Sequence, residues 1–217
     1  MAKTKTQYIC QACGASSPKW LGKCPQCAAW NSMEETVMQT SKADKRQAAA
    51  NFDDNQPKLH QLKKVQPDSY SRIPSKIGEL DRVLGGWMMP GSVVLIGGEP
   101  GIGKSTLLLQ LTLQNSDKKI VYVAGEESTA QIKDRADRLG EISDNCFIST
   151  ELIVENLNEQ LKKEKPALII VDSIQTLQSH NLESIPGTIS QIRETAYQLI
   201  NMAKYLNVPL FLVGHIT

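Results

Sequence analysis

Long hydrophobic runs are missing from this sequence of 217 residues, and so is any marked excess of charge of one sign. The longest apolar runs, around Val93–Ile96 and Leu168–Val171, are far too short to span a bilayer. The formal net charge of +1 does not by itself predict a strongly charged partner. With 41% hydrophobic and 22% charged residues, the composition predicts an ordinary globular protein without a membrane partner.

The first 33 residues lack acidic side chains and contain few aliphatic ones. Their basic residues are Lys3, Lys5, Lys19 and Lys23. Because this start is basic but not hydrophobic, it does not match a secretory signal peptide. We therefore expect a cytoplasmic location, where thiols stay reduced and clustered cysteines bind metal rather than pair as disulfides.

Three regions follow one another along the chain. Residues 1–32 are dense in Cys, Gly, Pro and Trp, and residues 33–69 are polar without a sustained apolar period. The second region is predicted to be a flexible linker, since it cannot bury enough surface to fold alone. In residues 70–217 apolar strands alternate with amphipathic helices, which predicts a mainly parallel α/β sheet with helices on both faces.

Hydrophobic periodicity predicts five strands and four main helices in the third region. The predicted strands are Val93–Gly97, Ile120–Ala124, Cys146–Ser149, Leu168–Asp172 and Leu210–Gly214. The predicted helices are Lys104–Gln114, Ala130–Leu139, Val154–Lys163 and Thr188–Leu206. Thr188 and Gln191 fit a capping box at the start of the last helix.

A glycine-rich segment between the first predicted strand and the helix after it matches the P-loop pattern G-x-x-x-x-G-K-[ST] in full. Its residues are Gly98, Glu99, Pro100, Gly101, Ile102, Gly103, Lys104, Ser105 and Thr106. The glycines let successive backbone N–H groups converge on phosphates, and the positive end of the following helix adds to the attraction. Lys104 is predicted to contact the β- and γ-phosphates of ATP, and the Ser105 hydroxyl to coordinate Mg²⁺.

Acidic residues follow two other predicted strands. The run Leu168–Val171 ends in Asp172, the Walker B form, which predicts a second ligand for Mg²⁺. Glu126 and Glu127 come just after a strand, where ligands bind in such sheets, so one of them could activate water for ATP hydrolysis. Both could equally be solvated loop acids or first-turn residues of the next helix. His215 follows the last strand, and a lone histidine is more often a structural or surface residue.

Two C-x₂-C pairs lie near the N terminus, ten residues apart. Their members are Cys10, Cys13, Cys24 and Cys27. Four thiolates at this spacing predict a closed, structural Zn²⁺ site. Metal binding would supply most of the folding free energy of this module, about 10–16 kcal/mol in comparable peptides. The fifth cysteine, Cys146, opens a strand and is predicted to be a small buried hydrophobic residue.

The surface chemistry of this zinc module is compatible with two kinds of partner. Its lysines suggest contact with phosphates, although a zinc ion with four thiolates carries a formal −2 and leaves only about +2 on the module. Trp20 and Trp30 could stack on bases or pack over the zinc knuckles. Contact with nucleic acid and contact with protein or with another domain both stay open at this point.

In this order, the motifs resemble the bacterial RadA (Sms) family of DNA-repair proteins, which belongs to the RecA superfamily. The similarity covers essentially the full chain. It extends from the four-cysteine ribbon and the linker through residues 77–87, 90–92, the P-loop, 125–128, 171–176 and 213–215.

The resemblance implies a RecA-like ATPase core whose five predicted strands, numbered along the sequence, lie in the order 3-2-4-5-1. It implies that Glu126 is the base that activates water, with Glu127 as the second choice. It also implies that His215 is a γ-phosphate sensor that couples nucleotide state to DNA-binding loops. The implied partners are single-stranded or branched DNA, further copies of the chain in a ring or filament, and other recombination proteins.

The family pattern continues beyond the last residue, Thr217, with further strands, a Lys-Asn-Arg-Phe-Gly motif and a Lon-protease-like domain. We therefore expect a fragment that keeps its ATP-binding residues and lacks parts of the DNA and assembly surfaces. The strand Val93–Gly97 would then lie at a sheet edge without an outer neighbour, which favours aggregation.

Three functional hypotheses follow from the sequence. The first is a DNA-dependent ATPase of recombinational DNA repair that processes recombination intermediates by strand exchange or branch migration. The second is an ATP-gated binding or assembly module without useful turnover. The third is a RecA-like clock or signalling kinase relative, which also has paired glutamates at this place, although the N-terminal zinc ribbon argues against it.

Overall fold

The computed structural model describes residues 3–40, 61–64 and 72–215. The chain divides into an N-terminal unit and a larger C-terminal unit. Most of the predicted linker, namely residues 41–60 and 65–69, lies outside the described residues, so its flexibility stays a prediction.

The N-terminal unit is a three-stranded antiparallel sheet with strand order β2-β1-β3. Its strands are β1 Lys3–Cys10, β2 Ser16–Ser17 and β3 Met33–Thr40. Strands β1 and β3 pair along their full lengths, from Lys3 opposite Thr40 to Cys10 opposite Met33. The sequence had assigned residues 33–40 to the linker, and this assignment is wrong. Strand formation depends on context, and β1 supplies a backbone partner for each residue, so β3 needs no apolar period of its own.

The apolar interior of the N-terminal unit is small. Among the residues of this unit whose burial the structure describes, the buried hydrophobic ones are Ile9, Cys10, Cys24 and Met33. Two of these four are predicted zinc ligands. The described part of this unit therefore buries little apolar surface apart from the cysteines themselves, which agrees with a fold that depends on metal.

The C-terminal unit is a five-stranded parallel sheet. Its strands are β4 Val93–Gly98, β5 Ile120–Ala124, β6 Cys146–Ser149, β7 Leu168–Asp172 and β8 Leu210–His215. They lie in the order β4-β8-β7-β5-β6, which is the RecA-like order that the resemblance implies. The RecA-like α/β fold is thus confirmed.

Five α-helices and two short 3₁₀ helices complete the described chain. The α-helices are α1 Gly78–Leu84, α2 Lys104–Gln114, α3 Thr129–Leu139, α4 Val154–Glu164 and α5 Ile189–Leu206. The 3₁₀ helices are Leu62–Lys64 and Ile174–Thr176. Within the described ranges, no helix combines the length and the apolar character that crossing a lipid bilayer requires.

Apolar side chains cover both faces of the parallel sheet. Along β7, Ile169 and Val171 belong to a core cluster with residues of α4 and α5. Between them, Ile170 belongs to a second cluster with residues of α2 and α3. Successive side chains of a strand point to opposite faces, so this alternation fixes two helical layers on one sheet. The prediction of helices on both faces is confirmed.

Helix α5 does not have the capping box that Thr188 and Gln191 predict. The side chain of Thr188 makes no cap hydrogen bond and instead donates to the carbonyl of Ile185 at 2.9 Å. The Gln191 side chain, which is buried, accepts a hydrogen bond from the backbone N–H of Ser179 at 2.8 Å. A capping box would need Oε1 of Gln191 as the acceptor for the backbone N–H of Thr188, and this oxygen is used by the contact with Ser179 in the preceding loop. A capping box is present at α3, between Ser128 and Gln131.

The two edge strands leave hydrophobic residues partly exposed. Strand β4 lies at one edge, as predicted, and the Leu95 side chain there is 66% exposed. Strand β6 forms the other edge, where Phe147 is also exposed. Cys146 on β6 is only partly buried, so the expectation of a buried residue is wrong. An edge strand has a neighbour on one side only and cannot enclose its side chains as a central strand does.

Candidate active site and metal centre

The P-loop connects the end of β4 to the first turn of α2. Gly101 and Gly103 have φ values of 81° and 99°, in the left-handed region that glycine adopts without strain. The Lys104 side chain is buried, and its ammonium group donates to the carbonyl oxygens of Gly98 and Glu99, both at 2.7 Å. A cationic donor therefore lies across a loop of backbone amides at the N terminus of a helix. This arrangement fits a polyphosphate.

A small pocket beside the P-loop brings together the predicted magnesium ligands. Ser105 reaches it from the first turn of α2, and Asp172 reaches it from the end of β7. The other lining residues are Tyr122, Ala124, Glu126, Glu127 and Ile132. Mg²⁺ prefers hydroxyl, carboxylate and water oxygens, so this donor set fits the ion.

Tyr122 is a member of this site that the sequence did not identify. Its hydroxyl donates a hydrogen bond of 2.6 Å to Oδ2 of Asp172. Burial and the neighbouring charge of Asp172 raise the pKa of Tyr122 far above its ordinary value, so the phenol stays a donor. The two residues are far apart in sequence, and only the pairing of β5 with β7 brings them together.

Glu126 follows β5, and its side chain contacts residues at the carboxyl ends of β7 and β8. Its Oε1 accepts a 2.6 Å hydrogen bond from the Ser173 hydroxyl and lies 3.0 Å from Nε2 of His215. The Glu126 side chain is 45% exposed, so its carboxylate can still be reached from outside. His215 ends β8 and is the register partner of Gly98, the first P-loop residue. The structure thus brings Glu126 and His215 together beside the P-loop.

Glu127 has a different environment from Glu126. Its Oε1 accepts a 2.5 Å hydrogen bond from the guanidinium group of Arg135 on α3. The two side chains are 30% and 29% exposed, so this ion pair is partly shielded from water. Neither glutamate is a freely solvated loop acid. Arg135 was not identified from the sequence. Its position on the next helix, eight residues after Glu127, could have indicated an ion pair with that glutamate.

The turn that carries the two glutamates packs closely against the segment after β7. The backbone N–H of Gly125 donates to the carbonyl of Asp172 at 2.7 Å. A Cβ atom at position 125 would lie 1.8 Å from Oγ1 of Thr176, so a larger residue does not fit without displacing that segment. Gln175 in the same segment donates to the carbonyl of His215 at 3.1 Å. One short stretch therefore sets the positions of the turn and of His215.

The four N-terminal cysteines form a cluster suited to zinc. The sulfur atoms of Cys10, Cys13, Cys24 and Cys27 all lie within 4.8 Å of one another. Two of the separations, Cys10 to Cys27 and Cys13 to Cys24, are 3.6 Å. Tetrahedral Zn–S bonds of about 2.3 Å place sulfur atoms about 3.8 Å apart. The hydroxyl of Ser32 lies 3.1 Å from the Cys10 sulfur and, with backbone hydrogen bonds, lowers the pKa of this thiol.

The two tryptophans of the ribbon are largely exposed. Trp30 is 73% exposed and Trp20 is 55% exposed. The ammonium group of Lys23 lies 5.5 Å from the centroid of the Trp30 ring, within cation–π range. One face of an exposed ring can still cover a knuckle, so packing over the knuckles and stacking on bases both stay predictions.

Residues 58–217 match the family described as AAA domain. The chain belongs to this AAA domain family. Residues 8–35 match a zinc-ribbon family described as rubredoxin metal binding domain. The AAA domain carries the ATP and Mg²⁺ site, and the four-cysteine ribbon carries the Zn²⁺ site.

Curated relatives of this AAA protein are similar to it along its full length. It is 43% identical over 219 residues to DNA repair protein RadA of Bacillus subtilis. It is 46% identical over 219 residues to the protein of that name from Campylobacter jejuni and 44% identical over 218 residues to that of Streptococcus pyogenes serotype M1. The matches cover 100% of this chain and 48%, 49% and 48% of the relatives. The chain spans about half the length of the curated relatives it matches. The resemblance to the RadA family within the RecA superfamily is confirmed.

Proposed function

We propose that this chain is the ATPase part of a DNA-dependent enzyme of recombinational DNA repair. ATP hydrolysis would drive the processing of recombination intermediates by strand exchange or branch migration. The similarity to proteins named DNA repair protein RadA supports the biological role. The observation that carries the chemistry is the Glu126 carboxylate, held by Ser173 and His215 beside the P-loop.

Phosphate binding is the role of the P-loop. Lys104 already donates to two carbonyls of the loop, so its ammonium group needs only a local movement to contact the β- and γ-phosphates. Ser105 and Asp172 are the side chains that hold Mg²⁺. When bound, the metal ion neutralises part of the phosphate charge and helps to orient the γ-phosphate. The negative charge of the phosphates would thus be compensated by Lys104 of the protein and by Mg²⁺ taken up from the solvent.

Glu126 is the general base of the proposed reaction. It takes the proton of the attacking water, and its hydrogen bonds to Ser173 and His215 fix the orientation of the carboxylate. Glu127 is less suited to this role because the Arg135 guanidinium already compensates its charge. His215 is the γ-phosphate sensor, since its backbone pairs with Gly98 at the start of the P-loop.

The proposed partners are single-stranded or branched DNA, further copies of the chain in a ring or filament, and other recombination proteins. The exposed rings of Trp20 and Trp30, with Lys23 beside one of them, support stacking on unpaired bases by the ribbon. The proposed location is the cytoplasm.

The test is the rate of ATP hydrolysis with and without single-stranded DNA. We expect DNA to accelerate phosphate release and Glu126→Gln to lower it by about 10²-fold or more, within the range expected of a general base. Glu141→Gln changes an exposed glutamate outside the pocket and serves as the matched control. Equal rates with and without DNA would contradict the DNA-dependent role, and normal hydrolysis by Glu126→Gln would contradict the assignment of the base.

One observation favours the second function, an ATP-gated binding or assembly module without useful turnover. Both hydrogen bonds to Glu126 converge on a single oxygen, Oε1, so this atom is occupied by protein groups in the arrangement described. If nucleotide binding does not release it, ATP would order the site without being hydrolysed. Phosphate release at saturating ATP distinguishes the two functions, because a module of the second kind binds ATP tightly and releases no phosphate.

A further inference from the structure

The Walker B carboxylate receives a hydrogen bond from a buried phenol on the neighbouring strand. Tyr122 is 3% exposed, and its hydroxyl lies 2.6 Å from Oδ2 of Asp172. In the parallel pairing of β5 with β7, Tyr122 is opposite Ile170 and Ala124 is opposite Asp172. Asp172 is two residues beyond Ile170, so its side chain lies on the same face of the sheet as that of Tyr122. The phenol reaches along β7 by this distance of two residues. A long, rigid side chain is required to bridge this distance.

The ring of Tyr122 is fixed by its surroundings. It belongs to the core cluster that includes Ile132 of α3, Ile170 of β7 and Phe211 of β8. Because the ring cannot easily change its rotamer in a packed interior, the position of the hydroxyl is also fixed. Its hydrogen bond occupies Oδ2 of Asp172, and Oδ1 is the oxygen left for other partners in the pocket that Ser105 also lines.

We propose that Tyr122 is a positioning residue that orients the Asp172 carboxylate for Mg²⁺. This inference rests on the proposed role of Asp172 as a magnesium ligand. Hydrogen-bond partners of metal-binding carboxylates hold the ligand in its binding orientation, and their loss commonly lowers metal affinity 10- to 100-fold. Tyr122 acts through Asp172 and touches neither the phosphates nor the attacking water.

The first experiment measures the Mg²⁺ dependence of ATP binding by the zinc-loaded chain. Titration calorimetry at fixed ATP is carried out for the wild type and for Tyr122→Phe, which keeps the ring and removes only the hydroxyl. We expect the apparent Mg²⁺ affinity to fall by about tenfold or more, while ATP binding without added Mg²⁺ changes less than about twofold. Tyr205→Phe, at an exposed tyrosine of α5, is the matched control and should behave as the wild type.

The second experiment repeats the comparison in an Asp172→Ala background. If Tyr122 acts through the carboxylate, Tyr122→Phe has no further effect there. An equal loss in both backgrounds, or a loss of ATP binding without Mg²⁺, overturns the inference because it indicates a packing role. A Tyr122→Phe chain that fails to fold by circular dichroism also overturns it, since the hydroxyl would then be needed for the fold itself.

The outcomes separate this inference from the function on which it rests. If ATP binding by the wild type does not depend on Mg²⁺, the proposed magnesium site is wrong and the role of Tyr122 is wrong with it. If the wild type depends on Mg²⁺ and Tyr122→Phe has the same Mg²⁺ affinity, only the role of Tyr122 is wrong.

Discussion

The zinc ribbon and the AAA domain are stabilised by different physical means. The described part of the ribbon buries few hydrophobic side chains, and two of these, Cys10 and Cys24, belong to the four-cysteine cluster. The AAA domain has one apolar cluster on each face of its sheet. A metal ion replaces the apolar core in the small unit, because a short chain cannot bury enough surface to offset its conformational entropy. The two units should therefore respond to different perturbations.

The largest effect is expected from loss of a zinc ligand. Cys24→Ser replaces a thiolate with a poorer ligand, and the metal contributes about 10–16 kcal/mol to the folding of comparable modules. We expect loss of zinc and unfolding of the ribbon, with ATP affinity retained within about twofold if the AAA domain folds by apolar burial. Metal analysis, limited proteolysis and calorimetry with ATP are the measurements.

Cys146→Ser is the control for the zinc ligand, because Cys146 lies on β6 and outside the four-cysteine cluster. This variant should retain its zinc. Simultaneous loss of zinc and of ATP binding in Cys24→Ser would contradict the separation between the two sources of stability.

The next largest effect is expected from a cavity in the AAA domain. Phe211 on the interior strand β8 is fully buried, and Phe→Ala changes in protein cores cost about 3–5 kcal/mol. Phe211→Ala should lower the free energy of unfolding of this domain by that amount and leave the zinc content unchanged. Urea denaturation followed by circular dichroism measures the first quantity, and metal analysis measures the second.

Val83→Ala provides the control for the cavity, since Val83 on α1 is 80% exposed. It should change the free energy of unfolding far less than Phe211→Ala does. Similar losses in the two variants would mean that apolar burial is not the main source of stability in this domain.

The smallest effect concerns a surface ion pair of the AAA domain. The Lys76 ammonium group, 2.9 Å from Asp117, and then Lys118 lower the pKa of Asp117 from 3.8 to about 2. Since the folded-state pKa lies below the unfolded value, the stabilisation is present above about pH 4 and is lost as the pH falls toward 2. Asp117→Asn should therefore be slightly less stable than the wild type at neutral pH, and the difference should narrow as the medium is acidified.

Urea denaturation between pH 6 and pH 3 measures this difference. Added salt should reduce it as well, because exposed pairs are screened. Asp144→Asn, at an exposed aspartate outside this ion pair, is the control. A difference that grows on acidification would contradict the interpretation.

The sheet of the AAA domain was predictable because buried parallel strands are continuous apolar runs. The observed bounds of β5, β6 and β7 are the predicted ones, and β4 and β8 are each one residue longer. The P-loop was predictable for a related reason, since phosphate binding imposes residue types at fixed spacing within one short segment. Both signals are local in sequence.

The features that the sequence missed are contacts between distant segments. Tyr122 and Asp172 meet only when β5 pairs with β7, and no local pattern marks a tyrosine in an apolar run as the partner of a carboxylate. Strand β3 was missed because its hydrogen-bond partner is at the other end of the ribbon sequence. The expected capping box failed for the same reason, since Gln191 bonds to Ser179 in the preceding loop.

The pairing of Gly98 with His215 has a mechanical consequence. The peptide that opens the phosphate-binding loop and the peptide that bears the imidazole belong to adjacent strands, with no intervening layer of side chains. We expect a displacement at one of these peptides to reach the other directly through the hydrogen bonds between β4 and β8. In the proposed role of His215 as a γ-phosphate sensor, the signal would cross a single interstrand spacing of about 4.8 Å and would need neither a hinge nor a domain rotation.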